Sequence, residues 1–156
     1  MKVIFLDIDG VLNNEEFTLL LHKRLLGREQ YLQVFRDIGE MPFDYRSCVL
    51  LQKLIHETGA EVVLSSIWRL SDKHVEGIKK YAGIEIKDKT PRLSCSRGIE
   101  IDTYLNVHPE VTNYVILDDD TDMLSEQSTH FVQCDAKAGF TYKEYEKAKD
   151  ILKSEE

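Results

Sequence analysis

The first fourteen residues, Met1–Asn14, read MKVIFLDIDGVLNN, and this stretch decides the fold class. Its segment VIFLDI is rich in β-branched and aromatic side chains, which is typical of a strand covered on both faces. Asp7 and Asp9 stand at the end of this strand, and Gly10 follows. A buried strand that ends in two carboxylates needs a chemical reason, because buried charges are costly unless they are paired.

Strand-like and helical patterns alternate along the rest of the chain. The predicted helices cover Glu15–Arg36, a segment that begins near Asp44 or Ser47 and ends before Gly59, Ser71–Tyr81, Gly98–Val107 and Tyr142–Lys153. The predicted strands are AEVVLSS, a short one at Gly83–Ile86, NYVILDDD and HFVQCD, and residues 87–97 are predicted to be loop. Such alternation predicts an α/β fold with a doubly wound, Rossmann-like parallel sheet. We expect a single domain over residues 1–156, with at most a small helical cap insertion at about 14–46 after the first strand.

Composition excludes several classes of protein. The 156-residue chain carries 28 acidic and 20 basic residues, a formal net charge of −8, which argues against strong non-specific nucleic-acid binding but not against a nucleic-acid end as substrate. We expect no membrane span and no secretory signal, because the apolar runs are short and charges interrupt the N-terminus. Cys48, Cys95 and Cys134 are scattered, which predicts free thiols in a reducing cytoplasm. No feature indicates an obligate protein partner.

Polar side chains follow three of the predicted strands. Asp7 and Asp9 follow the first, Ser65 and Ser66 the second, and the run Asp118–Asp122 a later one. Ligands of open α/β sheets bind outside the carboxyl ends of the strands, so we expect these clusters to converge. A single aspartate in such a position is usually a turn or cap residue, but two clusters of carboxylates would repel one another. A hard divalent cation relieves that repulsion, and Mg²⁺ suits a site with few protein ligands and a phosphate.

Three segments carry a family resemblance. DIDGV, which contains Asp7, resembles motif I of the haloacid dehalogenase (HAD) superfamily, most of whose members are Mg²⁺-dependent phosphatases; VVLSS resembles motif II and ILDDDTD the acidic motif IV. The family places a basic residue between the last two motifs, and Arg97 in SRGIEIDTYL fits, with Arg92 as a nearby rival. SSIWR together with RGIEI is similar to small HAD domains associated with RNA-repair proteins and to polynucleotide 3′-phosphatases.

The resemblance implies a role for each residue of the candidate site. Asp7 would be the nucleophile and Asp9 the general acid and base, while Gly10 would allow a tight turn near the substrate. The phosphate would be bound by Ser65, or its rival Ser66, and by Arg97. The metal ligands would be Asp7, Asp9, Asp119 and Asp118, with Asp119 the preferred side-chain ligand and Asp118 either a ligand or the holder of a metal-bound water. Asp122 would act from behind these ligands, and Asp120 would be solvated.

Three features have a second, purely structural interpretation. Arg69 could contact substrate phosphate and Trp68 could stack on a base, or Trp68 could pack beneath a helix with Arg69 on the surface. The basic stretch His22–Arg28 could steer a phosphorylated polymer, or form a solvated helix face.

The residues and the resemblance together predict a Mg²⁺-dependent phosphomonoesterase that works through an aspartyl-phosphate. Its substrate would be phosphorylated, and an open, nearly capless site suits a polynucleotide 3′-phosphate end. The alternatives are a small-metabolite phosphatase or nucleotidase, and a non-catalytic phosphate-binding HAD domain. The run VILDDDTD by itself is also typical of receiver domains, but those begin with their acidic pocket, whereas here it lies near the C-terminus.

Overall fold

Five parallel strands form one sheet in a computed structural model, which describes residues 1–22, 28–40 and 42–154. The strands are Lys2–Leu6 (β1), Glu61–Leu64 (β2), Asp88–Lys89 (β3), Asn113–Asp118 (β4) and Phe131–Gln133 (β5). Their order across the sheet is β3-β2-β1-β4-β5, so the N-terminal strand is central. The predicted α/β, doubly wound, Rossmann-like fold is confirmed.

Helices cover both faces of this sheet. They are Glu15–His22 (α1), Arg28–Ile38 (α2), Tyr45–Thr58 (α3), Asp72–Gly77 (α4), Arg97–Val107 (α5) and Tyr142–Lys153 (α6). Alternate residues of β1 enter different clusters: Ile4 and Leu6 lie in the core shared with α3 and α6, whereas Val3 and Phe5 pack in the core shared with α5. Both sets must be apolar because successive side chains of a strand point to opposite faces. The uninterrupted apolar run of β1 follows from this.

The strand register brings the ends of three strands to one level. Leu6 of β1 pairs with Leu64 of β2 on one side and with Leu117 of β4 on the other. The residues directly after these pairs, Asp7 and Ser65, therefore lie beside each other and beside the end of β4. The convergence expected from the sequence is a consequence of this register.

Two predicted elements differ from the structure. The third strand comes later than predicted, at Asp88–Lys89. Gly83 ends the preceding helical turn in a left-handed conformation, and the buried Ile84 enters the core without pairing with β2, which first bonds the chain at Lys87. The single helix predicted over Glu15–Arg36 is described as α1 and α2, and most of the basic stretch His22–Arg28 lies outside the described residues.

The segment that carries α1 and α2 is anchored to the body of the domain. Asn14 donates from Nδ2 to Asp44 Oδ2 at 2.8 Å, and its own Oδ1 accepts from the Phe17 amide at the start of α1. Asp44 in turn caps α3 by accepting from the Arg46 amide. At the other end of the segment Ile38 is buried against α4. The cap insertion at about 14–46 stays a prediction.

Across residues 1–22, 28–40 and 42–154, no helix combines the length and the apolar character that a membrane crossing requires.

Candidate active site

Three carboxylates meet at the carboxyl end of the sheet. Asp7, Asp118 and Asp119 each offer an oxygen, and these three atoms lie within 4.8 Å of one another. Asp7 and Asp118 are buried, with 5% and 0% exposure, and Asp119 is partly exposed. The strand register places Asp7 beside Asp118, and the turn after β4 adds Asp119. The structure thus brings together three of the four predicted metal ligands.

Arg97 is the cation that faces these carboxylates. Its Nη1 lies 3.0 Å from Asp7 Oδ1 and 3.2 Å from Asp118 Oδ2, and 3.5 Å from Ser65 Oγ. Arg97 is the first residue of α5, and its amide donates to Asp122 Oδ2 at 2.8 Å. Among the rival arginines of the sequence, Arg97 rather than Arg92 makes these contacts. Asp122, behind the carboxylates, holds the start of α5 in place.

The electrostatics of the cluster call for a further positive charge. Burial raises the pKa of Asp7, although Arg97 opposes the shift. Burial and the neighbouring charge of Asp7 raise the pKa of Asp118 to about 7, and burial also raises the pKa of Asp119. Asp118 Oδ2 is buried and accepts no hydrogen bond from a described residue. One guanidinium against three carboxylates leaves negative charge that a hard divalent cation with oxygen ligands would neutralise, so the residues present fit such an ion.

The two serines after β2 occupy different positions. Ser65 is fully buried, and its hydroxyl lies within reach of Arg97. The Ser66 hydroxyl accepts from the Trp68 amide at 3.4 Å, which caps the short 3₁₀ helix Ile67–Leu70. A hydrogen bond from Ser66 also lowers the pKa of Asp7. Both serines therefore lie at the site, and their binding of phosphate stays a prediction.

Gly10 allows the turn after β1 to approach Asp119. Its φ of +77° lies in the left-handed region that favours glycine. A Cβ atom at this position would lie 2.5 Å from Asp119 Cγ. Any side chain here would displace the carboxylate or the turn, so Gly10 shapes the cluster although it contributes no side chain.

Comparison with known proteins agrees with this geometry. Residues 3–145 match the family described as the HAD domain in Swiss Army Knife RNA repair proteins. The chain belongs to this family. No curated protein and no solved structure matches it. The resemblance to RNA-repair HAD domains is therefore confirmed. Membership of this family supports, in general terms, a hydrolase of the phosphatase type.

Asp9 stands apart from the three clustered carboxylates of the HAD domain. It is exposed, and its carboxylate accepts from Asn13 Nδ2 at 2.8 Å and from Trp68 Nε1 at 3.1 Å. Its predicted role as a metal ligand stays a prediction. The cluster of Asp7, Asp118 and Asp119 does not include Asp9 and so gives this role no support. Two donors on one exposed carboxylate fix its position next to the strand end.

Trp68 does not offer a surface on which a base could stack. It is 3% exposed and packs between Phe43, at 5.4 Å between ring centroids, and His74, at 4.9 Å. The structural interpretation of the sequence, in which Trp68 packs beneath a helix, agrees with this burial. It did not predict the hydrogen bond from Trp68 to Asp9. That contact spans distant parts of the chain, and sequence spacing gives no signal for it.

Arg69 is turned into the protein. Its Nη2 lies 2.6 Å from Glu100 Oε2, and its Nη1 donates to the backbone carbonyls of Ser65 and Ser66. At 8% exposure it is not the surface arginine of the structural interpretation, which is wrong on this point. Its predicted contact with substrate phosphate stays a prediction. The structure does not favour that contact, because both terminal nitrogens of Arg69 already have partners within the protein. Its role in joining β2 to α5 was missed.

Two clefts open at the site. The first has a volume of about 500 Å³ and is lined by Asp9, Gly10, Asn13, Leu19 and Glu40 among others. The second, of about 350 Å³, lies on the Arg97 side. Neither is a closed cavity, so a molecule much larger than a phosphate ion can enter either cleft.

Proposed function

We propose that this HAD domain is a divalent-metal-dependent phosphomonoesterase that removes the terminal phosphate from nucleic-acid 3′ ends, with Asp7 as nucleophile and Mg²⁺ as the metal. The observation that carries the proposal is the placement of Arg97 between Asp7 and Asp118, with Asp119 completing the cluster. Phosphoryl transfer depends mainly on positioning and on neutralising charge. The Arg97 guanidinium can neutralise the phosphate, and the carboxylates supply a nucleophile and metal ligands.

The proposed reaction is the one that the resemblance to the HAD superfamily implies, and it uses two side chains at the end of β1. An Asp7 carboxylate oxygen attacks phosphorus, the bond from phosphorus to the ester oxygen breaks, and that oxygen takes a proton from Asp9. Asp9, now ionised, accepts a proton from water as the water oxygen attacks the phosphorus of the aspartyl-phosphate. The bond from phosphorus to Asp7 breaks, which releases inorganic phosphate and restores the Asp7 carboxylate and the protonated Asp9.

Arg97 and Ser65 would act on the phosphoryl oxygens. Arg97 already contacts Asp7, so its guanidinium can hold a phosphoryl oxygen next to the attacking carboxylate. The hydroxyl of Ser65 lies beside the same guanidinium and can donate to a second oxygen.

Asp7, Asp118 and Asp119 would hold the cation. When bound, a divalent ion supplies charge neutralisation that lets two anions, the phosphate and the nucleophile, approach each other. Until then the raised pKa values of these carboxylates favour a proton on one of them, which would compete with metal binding.

The choice of a nucleic-acid end rests on two supports. The family is that of HAD domains in RNA repair proteins, and the clefts beside the carboxylates are open rather than enclosed. An acidic chain is compatible with this choice because only the end of the polymer needs to enter.

The test is phosphate release from a matched set of 3′-phosphorylated and 5′-phosphorylated oligonucleotides, mononucleotides and an aryl phosphate, with Mg²⁺ and with EDTA. We expect Mg²⁺-dependent release, with the 3′-phosphorylated oligonucleotides preferred. Asp7→Asn should lower the rate by several orders of magnitude, because a carboxamide cannot form the covalent intermediate. Asp102→Asn is the matched control, since Asp102 is exposed on α5 and contacts Asn106.

Other outcomes point elsewhere. Release from mononucleotides alone would indicate a nucleotidase, and release from none of the substrates with retained phosphate binding would indicate a non-catalytic domain. Turnover by Asp7→Asn equal to that of the unmodified protein would contradict the assignment of the nucleophile.

A further inference from the structure

A second cleft, called here the arginine cleft, opens beside Arg97, and of its lining residues the reaction described above uses Arg97 alone. It has a volume of about 350 Å³, and its lining includes Ile67, Leu70, Arg69, Arg92, Cys95 and Arg97. Arg97 both lines the cleft and contacts Asp7, so the cleft lies next to the place where phosphate would react. A substrate longer than its phosphate group can therefore extend into the cleft.

Arg92 differs from the other two arginines of this cleft, because its guanidinium is available to a ligand. Arg69 is paired with Glu100, and Arg97 with Asp7 and Asp118. Arg92 is exposed, and among the described residues no hydrogen bond or ion pair to its guanidinium is seen. Glu100 and Asp122 also line the cleft, but the Glu100 carboxylate is paired with Arg69 and the Asp122 carboxylate accepts from the Arg97 amide. The exposed guanidinium of Arg92 is therefore the group that an anion entering the cleft would meet.

The backbone on both sides of Arg92 is held by the buried pair of Arg69 and Glu100. Arg69 Nη2 lies 3.3 Å from the carbonyl oxygen of Pro91, and the Leu93 amide donates to Glu100 Oε1 at 2.8 Å. Arg92 thus projects from a loop that is tied down on each side. A group placed in advance in this way loses less conformational entropy when it binds.

Exposed aliphatic side chains form the other wall of the cleft. Ile67 is 62% exposed and Leu70 49%, at the two ends of the short 3₁₀ helix between β2 and α4. Their exposure follows from the burial of Trp68 and Arg69 between them, which turns the remaining two side chains outward. Apolar atoms next to a guanidinium suit a flat base or a sugar joined to a phosphate, and arginine itself stacks on bases.

We propose that the arginine cleft binds the nucleotide next to the reacting end of a single-stranded polynucleotide, with Arg92 on the adjacent phosphodiester and Ile67 and Leu70 against its base or sugar. The inference rests on the proposed function for the position of the terminal phosphate, and it adds the surface that distinguishes a polymer end from a mononucleotide.

The first experiment compares Arg92→Ala with the unmodified protein on a 3′-phosphorylated oligonucleotide and on a nucleoside 3′-monophosphate. We expect kcat/KM to fall about tenfold or more on the oligonucleotide, the loss typical of a charge-assisted hydrogen bond. On the monophosphate we expect no change. The salt dependence on the oligonucleotide should lose about one unit of slope. Arg92→Lys should recover part of the loss, and Lys147→Ala, an exposed change on α6, should leave both substrates unaffected.

A second readout does not depend on turnover. Cys95 is exposed in the cleft, whereas Cys48 and Cys134 are buried, so a thiol-alkylating reagent should modify Cys95 first. A single-stranded oligonucleotide with a 3′-phosphate, added in EDTA, should slow this alkylation, and less so in Arg92→Ala. Cys95→Ser identifies the labelled residue.

The outcomes separate this inference from the proposed function. Protection of Cys95 that depends on Arg92, without hydrolysis of any ester, would support the cleft and contradict the enzyme. Hydrolysis with an oligonucleotide preference that Arg92→Ala leaves intact would support the enzyme and overturn the cleft. An equal loss on the oligonucleotide and the monophosphate would also overturn it, as would protection by a phosphopeptide but not by the oligonucleotide.

Discussion

Asp9 shows how one carboxylate at the end of β1 is held apart from its neighbours. Asn13 and the indole of Trp68 each donate to one of its oxygens, while Asp7, two positions earlier, lies with Asp118 and Asp119. If Asp9 is the general acid and base, its position relative to the ester oxygen matters because proton transfer needs hydrogen-bond contact. The indole N–H is then a positioning group for the reaction.

Trp68→Phe should therefore impair catalysis more than it impairs folding. The phenyl ring keeps most of the apolar contacts but cannot donate to Asp9, and we expect a loss of about tenfold in kcat for a nucleotide 3′-phosphate. An aryl phosphate, whose leaving group needs little protonation, should lose less. Rates on both substrates and the melting temperature give the measurement. Equal losses on the two substrates would indicate a general structural defect instead.

At the scale of elements, the buried pair of Arg69 and Glu100 joins the segment after β2 to α5. Both side chains are almost fully buried, with nitrogen and oxygen 2.6 Å apart. The same carboxylate accepts from the Leu93 amide, so one residue of α5 also fixes the loop that precedes it. Since α5 begins with Arg97, this pair sets where that guanidinium stands.

Glu100→Gln should destabilise the protein by about 3 kcal/mol or more, because removing one charge of a buried pair leaves the other uncompensated. The activity of the folded fraction should fall as well, since Arg97 is positioned through α5. Urea unfolding followed by circular dichroism measures the first effect. Glu85→Gln is the matched control: Glu85 pairs with Lys79 on the surface, where both side chains are more than half exposed, and should show little change. Similar destabilisation in both variants would contradict the importance assigned to the buried pair.

For the molecule as a whole, we expect the clustered carboxylates to make stability depend on pH and, under the proposed function, on metal. The pKa of Asp118 is raised to about 7, so the native state binds its proton more tightly than the unfolded chain does. Stability from this group is present when it is protonated and is lost as pH rises from about 4 through 7. Asp44 works in the opposite sense: burial opposes its charge, but hydrogen bonds from Arg46 and Asn14 lower its pKa, so its contribution is lost on acidification.

In EDTA, the difference in melting temperature between Asp118→Asn and the unmodified protein should therefore grow in favour of the variant between pH 5 and pH 8. A gain of about 1 kcal/mol would correspond to roughly 2–4 °C for a chain of this size. At pH 8, Mg²⁺ should raise the melting temperature of the unmodified protein, since an ion that binds the native state stabilises it, and should have less effect on the variant. Asp102→Asn should follow the unmodified protein throughout. A difference that stays constant with pH would show that Asp118 does not carry the shifted proton.

The sequence by itself determined the fold class and predicted which strand ends supply the candidate site. The apolar run of β1 requires a strand covered on both faces, and parallel strands place their carboxyl ends together, so Asp7, Ser65 and the aspartates after β4 could be assigned to one edge. The sequence was less informative about the bounds of the third strand. Gly83–Ile86 has strand-like residues, but where the chain pairs with β2 depends on how the preceding helical turn ends.

Only the tertiary structure decided which side chains touch within that site. It selected Arg97 over Arg92, turned Arg69 inward to Glu100, and directed Trp68 to Asp9 instead of to solvent. Each of these contacts joins residues far apart in the chain, and each depends on the side-chain direction that packing imposes. Hydrophobic periodicity records which face of an element is buried, but it carries no information on the partner that a buried polar group meets there.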